Sequence, residues 1–350
     1  MSFFLRRVIS GEDHSLVALA VRPVLWVLSC LYALIVVILR WFYGTGFFGS
    51  VAERYPVISV GNITVGGVGK TPLVIFLAKT LYARGKHPVI LTRGYMAAEN
   101  GRSDEAEMMA ECLPEVPVMV NSDRVLAIKQ AKEQYMPDVF ILDDGFQHWR
   151  LQRDLDIVAI DATNPFGNGH VLPRGLLREP LHALKRADLF ILTKTDLGAA
   201  NVPAIKAVLM KYNFDCPIVE TIHAPVGVKD VLTGKRQSGF DLLKDTVVGV
   251  CALGLPGSFE ALLLREGAVI ERMFHFKDHH LYTKNDVWKI AAYCRTKKLN
   301  KVVTTHKDAV KIRNFPEAFQ GISLLVLEIE IKVTDGKDEL LSRLDSLCYC

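Results

Sequence analysis

The chain has 350 residues, half of them hydrophobic, and a formal net charge of +4 at pH 7. This length and composition exclude a disordered protein and leave room for one large or two modest domains. No long Lys/Arg block indicates nucleic-acid binding, and the seven cysteines lack CxxC or Cys/His metal spacing, which is typical of reduced cytosolic thiols.

An apolar segment comes first in the chain. Residues Pro23 to Leu39 carry no charge, and the basic and aromatic flank Arg40-Trp41-Phe42-Tyr43 follows them, as is typical of a membrane interface. The uncharged stretch is slightly shorter than the roughly 20 residues that span a bilayer, and no signal-peptide cleavage site follows it. We expect residues 1–45 to form a retained membrane anchor, spanning or half-inserted. A buried helix of a soluble domain is the alternative.

Strand and helix patterns alternate after this segment, with a first strand at Pro56–Val60 and its helix at Pro72–Ala83. This alternation predicts an α/β fold with a mostly parallel, P-loop NTPase-like sheet that has helices on both faces. A polar stretch at Gly234–Gly239 breaks the pattern. We expect a P-loop core of residues 46–235 and a smaller C-terminal α/β domain of residues 236–350 that closes over the active site. Further strands are predicted at Pro88–Thr92, Val116–Val120, Val139–Leu142, Ile157–Ile160, Leu189–Leu192, Ile218–Thr221, Val247–Ala252, Val269–Phe274, Val302–Thr305 and Leu324–Ile331.

A glycine-rich turn joins the first strand to its helix and ends in Gly69-Lys70-Thr71. Backbone N–H groups of such a turn, together with the helix N-terminus, favour an anionic phosphate. Lys70 is expected to reach the β- and γ-phosphates of a nucleotide, and the Thr71 hydroxyl to bind Mg²⁺. The first glycine of the usual motif is replaced by Thr64, and a strand–helix turn that is merely rich in glycine is the alternative. The predicted nucleotide-binding residues are Thr64, Val65, Gly66, Gly67, Val68, Gly69, Lys70 and Thr71.

Two adjacent aspartates, Asp143 and Asp144, follow the apolar run Val139–Leu142. A carboxylate at the end of such a strand holds Mg²⁺, directly or through water, beside the threonine of a P-loop. Asp143, Asp144 and Thr71 are therefore the predicted metal site. An ordinary Asp-Asp-Gly turn is the alternative.

Three further polar segments permit more than one interpretation. Asp104-Glu105 precedes a helical pattern and is also typical of an acidic first turn. Adjacent His279 and His280 do not share a face of a helix or strand, so metal-binding, structural and catalytic roles all stay open. Thr193-Lys194-Thr195-Asp196 resembles the guanine-reading motif of GTPases, which makes a membrane-associated P-loop GTPase or ATPase of unknown partner an alternative function.

Taken together, these segments resemble the tetraacyldisaccharide 4′-kinase family of lipid A biosynthesis. The order of the motifs is preserved along the chain, and Thr64 is the family's own form of the loop. The resemblance is carried by Val60-Gly61-Asn62-Ile63-Thr64-Val65-Gly66-Gly67-Val68-Gly69-Lys70-Thr71-Pro72, Thr92-Arg93-Gly94-Tyr95, Ser103-Asp104-Glu105, Asp123-Arg124, Asp143-Asp144-Gly145-Phe146-Gln147-His148, Leu172-Pro173-Arg174-Gly175-Leu176-Leu177-Arg178-Glu179-Pro180, Asp278-His279-His280 and Thr305-His306-Lys307-Asp308-Ala309.

The resemblance implies a kinase that uses ATP and Mg²⁺ to phosphorylate the 4′-hydroxyl of a tetraacylated glucosamine disaccharide 1-phosphate, giving lipid IVA. It implies Asp104 as the base, His279 as its partner with His280 as the second choice, and Lys70 as a further catalytic residue. Ser103 and Ala106 depart from the family's Gly-Asp-Glu-Pro, which raises a question about the local backbone shape. The implied contacts for the lipid head group or phosphates are Arg93, Tyr95, Arg124, His148 and Arg174.

Nucleotide is cytoplasmic, so we expect the catalytic domains on the cytoplasmic side of the inner membrane. The expected partners are the acylated disaccharide lipid and the membrane, without nucleic acid or a stable protein partner. A kinase for a soluble sugar and a non-catalytic scaffold that binds nucleotide are the remaining alternatives.

Overall fold

The computed structural model describes residues 15–94, 103–237, 245–254, 256–278 and 280–348. The chain divides into two compact units. The long strands Ile218–Asp230 and Ser323–Asp335 contribute residues to both units. Unit one takes the described residues of Met1–Arg93, Glu115–Ile222 and Val333–Cys350, and unit two those of Gly94–Pro114 and His223–Lys332.

The secondary structure follows the predicted alternation. The strands are β1 Val57–Gly61, β2 Pro88–Thr92, β3 Val118–Val120, β4 Val139–Asp143, β5 Leu155–Asp161, β6 Leu189–Thr193, β7 Ile218–Asp230, β8 Arg236–Gln237, β9 Thr246–Cys251, β10 Val269–His275, β11 Lys301–Thr304 and β12 Ser323–Asp335. The α-helices are α1 Leu16–Gly44, α2 Lys70–Ala83, α3 Asp104–Cys112, α4 Arg124–Gln134, α5 Val202–Tyr212, α6 Pro256–Arg265, α7 Lys284–Thr296, α8 His306–Ile312 and α9 Lys337–Cys348. Short 3₁₀ helices lie at Leu181–Arg186, Ala199–Asn201 and Pro316–Phe319.

Unit one contains a parallel sheet with β1 between β4 and β5. Its strand order is β7-β6-β5-β1-β4-β2-β3, and each neighbouring pair is parallel. Every residue of β1, β4 and β5 is buried. Parallel strands covered on both faces have this continuous apolar character, since helices pack over each face. The carboxyl end of β1 therefore opens into the glycine-rich turn at the edge where α/β sheets bind ligands.

Unit two is built around the parallel strands β10-β9-β11-β12. Two apolar clusters cover this sheet: one includes Val287 and Ile290 of α7, the other Phe259 and Leu263 of α6. β8 adds an antiparallel partner to β7 within this unit. A second βα series was expected here from the sequence, and its strands lie close to the predicted ranges.

Helix α1 presents a broad apolar surface. The stretch Val17–Gly44 is long and apolar enough to cross a membrane, judged by length and composition. The helix is longer than the uncharged stretch in the sequence because Arg22 and Arg40 both lie inside it. Its exposed apolar side chains are Val17, Leu19, Val24, Trp26, Val27, Leu28, Leu31, Leu34, Ile35, Val37, Ile38, Leu39 and Trp41.

Another stripe of α1 is held on unit one by polar contacts. The buried Ser29 hydroxyl donates to the Val171 carbonyl at 2.7 Å, and the Tyr32 hydroxyl donates to the Arg178 carbonyl at 2.9 Å. Tyr32 also packs against the apolar cluster of the sheet. The helix therefore has one face that docks on the protein and another that leaves its apolar side chains uncovered within the described part of the chain.

Candidate active site

The predicted phosphate loop lies between β1 and α2. Gly69 is the N-cap of α2 with φ 86°, a left-handed conformation that glycine adopts without a steric penalty. Gly61 at the end of β1 packs tightly, since an added Cβ would lie 2.4 Å from Cβ of Phe146. The backbone N–H groups at the start of α2 are thereby held at the edge of the sheet, where they suit an anionic group.

Lys70 is held by two oxygen acceptors close to this loop. Its Nζ lies 3.0 Å from Oδ1 of Asn62 and 3.2 Å from Oδ1 of Asp144. Arg178 also donates to both carboxylate oxygens of Asp144, at 2.8 Å each. Burial raises the pKa of Asp144, but Lys70 and Arg178 outweigh burial and hold its pKa below the usual range. A carboxylate with two cationic partners stays ionised when one of them turns to a substrate.

Asn62 and Arg178 were not among the predicted site residues, although both belong to motifs that the sequence displays. Asn62 also donates from its side-chain amide to the Thr64 carbonyl at 2.6 Å. The segment around Arg178 lies along the loop, because the Arg178 N–H donates to the Ile63 carbonyl at 2.7 Å. Their place in the motifs could have indicated both residues. Their contacts with Lys70 and Asp144 could not be predicted from the spacing of residues in the sequence.

Asp143 ends β4 next to β1, where it is paired in register with Val60. It is buried, and the Thr92 hydroxyl donates to its Oδ2 at 3.3 Å. Asp144 follows with φ 55°, an uncommon backbone conformation for a residue with a side chain. Both carboxylates and the Thr71 hydroxyl supply the hard oxygen atoms that Mg²⁺ prefers. These donors fit Mg²⁺ bound through one or two carboxylates together with nucleotide phosphates and water.

The described residues contain no group of three or more His, Cys, Asp or Glu side chains that could hold a metal ion. A closed metal cage is therefore not built into that part of the protein. Mg²⁺ in phosphoryl-transfer sites usually keeps several waters and completes its coordination with substrate phosphates, so the small donor set at Asp143 and Asp144 suits this ion.

The Thr193-Lys194 segment supports the phosphate loop from the end of β6. The Thr193 hydroxyl donates to the Val68 carbonyl at 2.7 Å, and Lys194 Nζ lies 3.4 Å from the Gly67 carbonyl. Lys194 also forms an ion pair with Asp161, and both side chains are less than a tenth exposed. The lysine that resembled part of a guanine-reading motif thus braces the loop backbone.

Three of the predicted head-group contacts lie near one another, since Arg93 is close enough to Arg124, and Arg124 to His148, to affect the charge of its neighbour. Arg124 is buried, donates to the Asn121 carbonyl at 2.8 Å and lies close enough to His148 to affect its charge. Burial, followed by Arg124, Arg153 and Arg150, lowers the pKa of His148 to about 4, so its imidazole is neutral at pH 7. Arg93 is exposed after β2, whereas Arg174 lies on the loop between β5 and β6. Tyr95 lies outside the described residues.

Asp104 is the first residue of α3 in unit two, and its carboxylate lies 2.9 Å from Nζ of Lys311. Ser103 precedes it as the N-cap with φ −107° and ψ 126°, an extended conformation that any residue adopts. The serine in place of the family's glycine therefore fits the local backbone. The sequence alone did not point to Lys311.

His279 lies outside the described residues, but its neighbour His280 does not. The His280 Nε2 lies 3.0 Å from Oδ2 of Asp286, and its ring stacks on Phe276 with centroids 4.7 Å apart. Asp286 also belongs to the capping box of α7. His280 is therefore held at the start of α7 by Asp286.

A glycine loop between a buried parallel strand and a helix, a lysine at its end and an aspartate on the neighbouring strand define a P-loop phosphotransferase or nucleotidase. Within that class, a family model described as LpxK, tetraacyldisaccharide-1-P 4′-kinase, matches residues 21–349.

Curated relatives point to the same family. The tetraacyldisaccharide 4′-kinase of Halothermothrix orenii is 37% identical over 370 aligned positions, which cover 96% of this chain and 95% of the relative. The tetraacyldisaccharide 4′-kinase of Geobacter metallireducens is 39% identical over 328 positions, which cover 89% of this chain and 94% of the relative. The "apo" form of LpxK from Aquifex aeolicus in complex with ATP superposes with a TM-score of 0.73 at 28% identity, covering 94% of this chain and all of that one.

The chain belongs to the tetraacyldisaccharide 4′-kinase family of lipid A biosynthesis. This membership confirms the predicted family, the P-loop α/β fold class and the enzyme class, and the predicted cofactors ATP and Mg²⁺ follow from it. It decides against the GTPase alternative, whose best feature was the Thr193–Asp196 segment.

Proposed function

We propose that this enzyme transfers the γ-phosphoryl group of ATP to the 4′-hydroxyl of a tetraacylated glucosamine disaccharide 1-phosphate, giving lipid IVA. The observation that carries the proposal is the arrangement of Lys70 between Asn62 and Asp144 at the end of a P-loop, in a chain of this family. The loop residues 64–71 bind the nucleotide phosphates. The phosphate loop belongs to unit one, and Asp104 belongs to unit two.

Phosphoryl transfer requires little covalent work from the protein, so positioning and charge neutralisation provide most of the rate. Lys70 neutralises charge on the β- and γ-phosphates of bound ATP. Asp144 retains Arg178 as a partner, so Lys70 can turn to the phosphates without leaving a carboxylate unpaired. Thr71, Asp143 and Asp144 would hold Mg²⁺, which would supply further neutralisation of the phosphate charge.

Asp104 accepts the proton of the acceptor hydroxyl, and His279 is its partner in this role. A general base of this kind contributes about 10²- to 10⁴-fold to the rate of an enzyme reaction. Arg93, Tyr95, Arg124, His148 and Arg174 contact the head group or its phosphate. Because His148 is neutral, one of its ring nitrogens can accept a hydrogen bond from the head group, and it adds no positive charge to that of the nearby arginines.

The direct test incubates the protein with γ-³²P-labelled ATP and the disaccharide lipid precursor in detergent micelles. Label is expected in the lipid, and it should disappear with Lys70→Ala. A deacylated disaccharide serves as the comparison substrate, because a kinase for soluble sugars would label it equally well. Label in water-soluble phosphate alone, with none in the lipid, would contradict the proposed transfer.

We also propose that α1 anchors the protein in the inner membrane, with both units on the cytoplasmic side where ATP is found. The support is the run of uncovered apolar side chains on one face of a helix whose Ser29 and Tyr32 hold the other face on unit one. The lipid is the substrate partner, and neither nucleic acid nor a stable protein partner is part of the proposal.

Membrane attachment is tested by replacing exposed apolar residues of α1 while keeping its docked face. Leu31, Leu34, Ile35 and Ile38 are each more than two-fifths exposed, and changing them to glutamine should release folded protein into the soluble fraction. Deleting Met1–Arg40 is a less specific test because it also removes Ser29 and Tyr32. Continued sedimentation of the glutamine variant with membranes would contradict an anchor formed by α1.

Sidedness is tested with a cysteine probe at Met136, which is 91% exposed. A membrane-impermeant maleimide should label Met136→Cys in inside-out vesicles more than in right-side-out vesicles. The wild-type protein, which retains its native cysteines, gives the background. Stronger labelling in right-side-out vesicles would place the kinase units on the opposite side.

A further inference from the structure

A buried lysine in unit two links two segments that the sequence keeps far apart. The Lys311 side chain is only 7% exposed, and its Nζ lies 2.9 Å from Oδ2 of Asp104 and 3.1 Å from the carbonyl oxygen of His280. Asp104 begins α3, and His280 directly follows His279 in the sequence. One ammonium group therefore contacts the proposed base and the backbone of the residue that follows His279 in the sequence.

Lys307, about one helical turn earlier, connects the same two segments at longer range. Its Nζ lies 3.6 Å from Oε1 of Glu105 and 3.5 Å from Oδ1 of Asp278. Its side chain is 17% exposed, compared with 7% for Lys311. Residues four apart lie on the same face of a helix, so α8 presents both lysines on one side. The shorter and more deeply buried contact belongs to Lys311.

The position of α8 is fixed by contacts at its N-terminus. Thr305 caps the helix by accepting the Asp308 N–H at 3.2 Å and donating to Oδ2 of Asp308 at 2.7 Å. The fully buried Asp308 carboxylate also accepts the Ala252 N–H at the end of β9, at 3.0 Å. A short helix held at its start by a buried carboxylate gives Lys311 little freedom to move away from Asp104.

We infer that Lys311 is a positioning residue for phosphoryl transfer: it holds the Asp104 carboxylate in the orientation that the acceptor hydroxyl requires. This inference rests on the proposed function, in which Asp104 is the base. A lysine that only braced the fold would serve stability and leave the turnover of folded protein unchanged. A positioning lysine lowers kcat when its charge is removed, because an error of an ångström at a reacting group costs rate.

The test measures kcat, KM for ATP and the thermal unfolding midpoint of Lys311→Met, Lys311→Arg and wild type with the lipid substrate. Lys311→Met keeps the side-chain length and removes the charge. We expect its kcat to fall on the order of 10- to 100-fold, as for the loss of one charged hydrogen bond, with KM for ATP nearly unchanged. Lys311→Arg keeps the cation and should lie between the methionine variant and wild type.

Lys301→Met is the matched control. Lys301 is also a mostly buried lysine of unit two, and its Nζ lies 2.6 Å from Oδ2 of Asp245 instead of a proposed catalytic group. The kcat of Lys301→Met should equal that of wild type. Equal losses of kcat in Lys301→Met and Lys311→Met would show a general effect on the unit and would overturn the positioning role.

Asp104→Ala is measured in parallel to separate the two hypotheses. If Asp104→Ala is inactive while Lys311→Met turns over at the wild-type rate, the inference fails and the proposed function stands. If Asp104→Ala itself keeps full turnover, the proposed base fails and Lys311 has no base to position. Should Lys311→Met unfold, Lys311→Arg decides: a several-fold lower kcat supports positioning, and an unchanged kcat overturns it.

Discussion

Unit one and unit two each place a lysine between an aspartate and a second oxygen acceptor, but they do so in different ways. Lys70 contacts Asn62 and Asp144, both in motifs that belong to the phosphate loop or to the strand beside it. Lys311 contacts Asp104 and the His280 carbonyl, which come from separate parts of the chain. Lys70 and Asp144 could both be predicted as site residues from their motifs, whereas Lys311 could not, because it contacts Asp104 only once unit two has folded.

The two pairs also differ in what surrounds the aspartate. Asp144 has a second cation, Arg178, and the two cations hold its pKa low despite burial. The Asp104 side chain is one-third exposed beside Lys311. This difference suits a phosphate site that keeps fixed charges and a base that remains accessible to an acceptor hydroxyl.

The strongest test concerns the base. Asp104→Ala and His279→Ala should each lower kcat about 10²- to 10⁴-fold, the usual contribution of general base catalysis, while ATP still binds. Because residues that act as a unit are non-additive, the double variant should resemble the worse single variant. Steady-state rates and ATP affinities of all three variants give the measurement. Fully additive losses would show that the two residues act separately.

Lys70→Ala should lower kcat by at least about 100-fold, in line with the loss of one preorganised charge aimed at the transition state. In contrast to Asp104→Ala, it should also weaken ATP binding, since Lys70 contacts the ground-state phosphates. Rates and ATP affinity measured side by side test the difference between the two units. Near-normal turnover of Lys70→Ala would remove the phosphate site from the mechanism.

Lys194→Met should affect the loop through its backbone rather than through direct contact with phosphate. The buried Asp161 would lose its cation, and leaving one member of a buried pair uncompensated costs about 3–5 kcal/mol of stability. The folded fraction should show a raised KM for ATP, roughly tenfold, with a smaller change in kcat. Thr193→Val, which removes only the hydroxyl donor to Val68, should show a weaker change of the same kind. If Lys194→Met instead changed the rate with GTP while leaving kcat and KM for ATP unchanged, Lys194 would be a residue that recognises the nucleotide base.

The smallest expected effect is a pH dependence of stability. His148 has a pKa of about 4 in the folded protein, because burial and three arginines oppose its protonation, against an ordinary value near 6.5. Between these values the unfolded chain binds a proton that the folded protein does not, so this contribution to stability is lost as pH falls from about 6.5 towards 4. His148→Asn should lose stability less steeply over this range, by roughly 1 kcal/mol at pH 5 after allowance for partial exposure. Urea unfolding midpoints at pH 7 and pH 5 provide the comparison, and parallel pH profiles for the two proteins would contradict the assignment.

Much of the fold could be predicted because its signals are local. Buried parallel strands are nearly continuous apolar runs, and the run Val57–Val60 directly before the glycines is buried in β1. That β7 and β12 each contribute residues to both units could not be predicted, because it depends on long-range strand pairing and not on a local pattern.

By itself, the sequence determined the phosphate loop, the aspartates at the end of β4 and the apolar α1, because each depends on neighbouring residues and on the periodicity of one element. Only the tertiary structure decided that Arg178 joins Asp144, that Lys194 braces the loop and that Lys311 contacts Asp104. A buried charge is unfavourable unless it is paired with an opposite charge. Which opposite charge lies within a few ångströms depends on how the strands and helices pack, and the sequence does not show this.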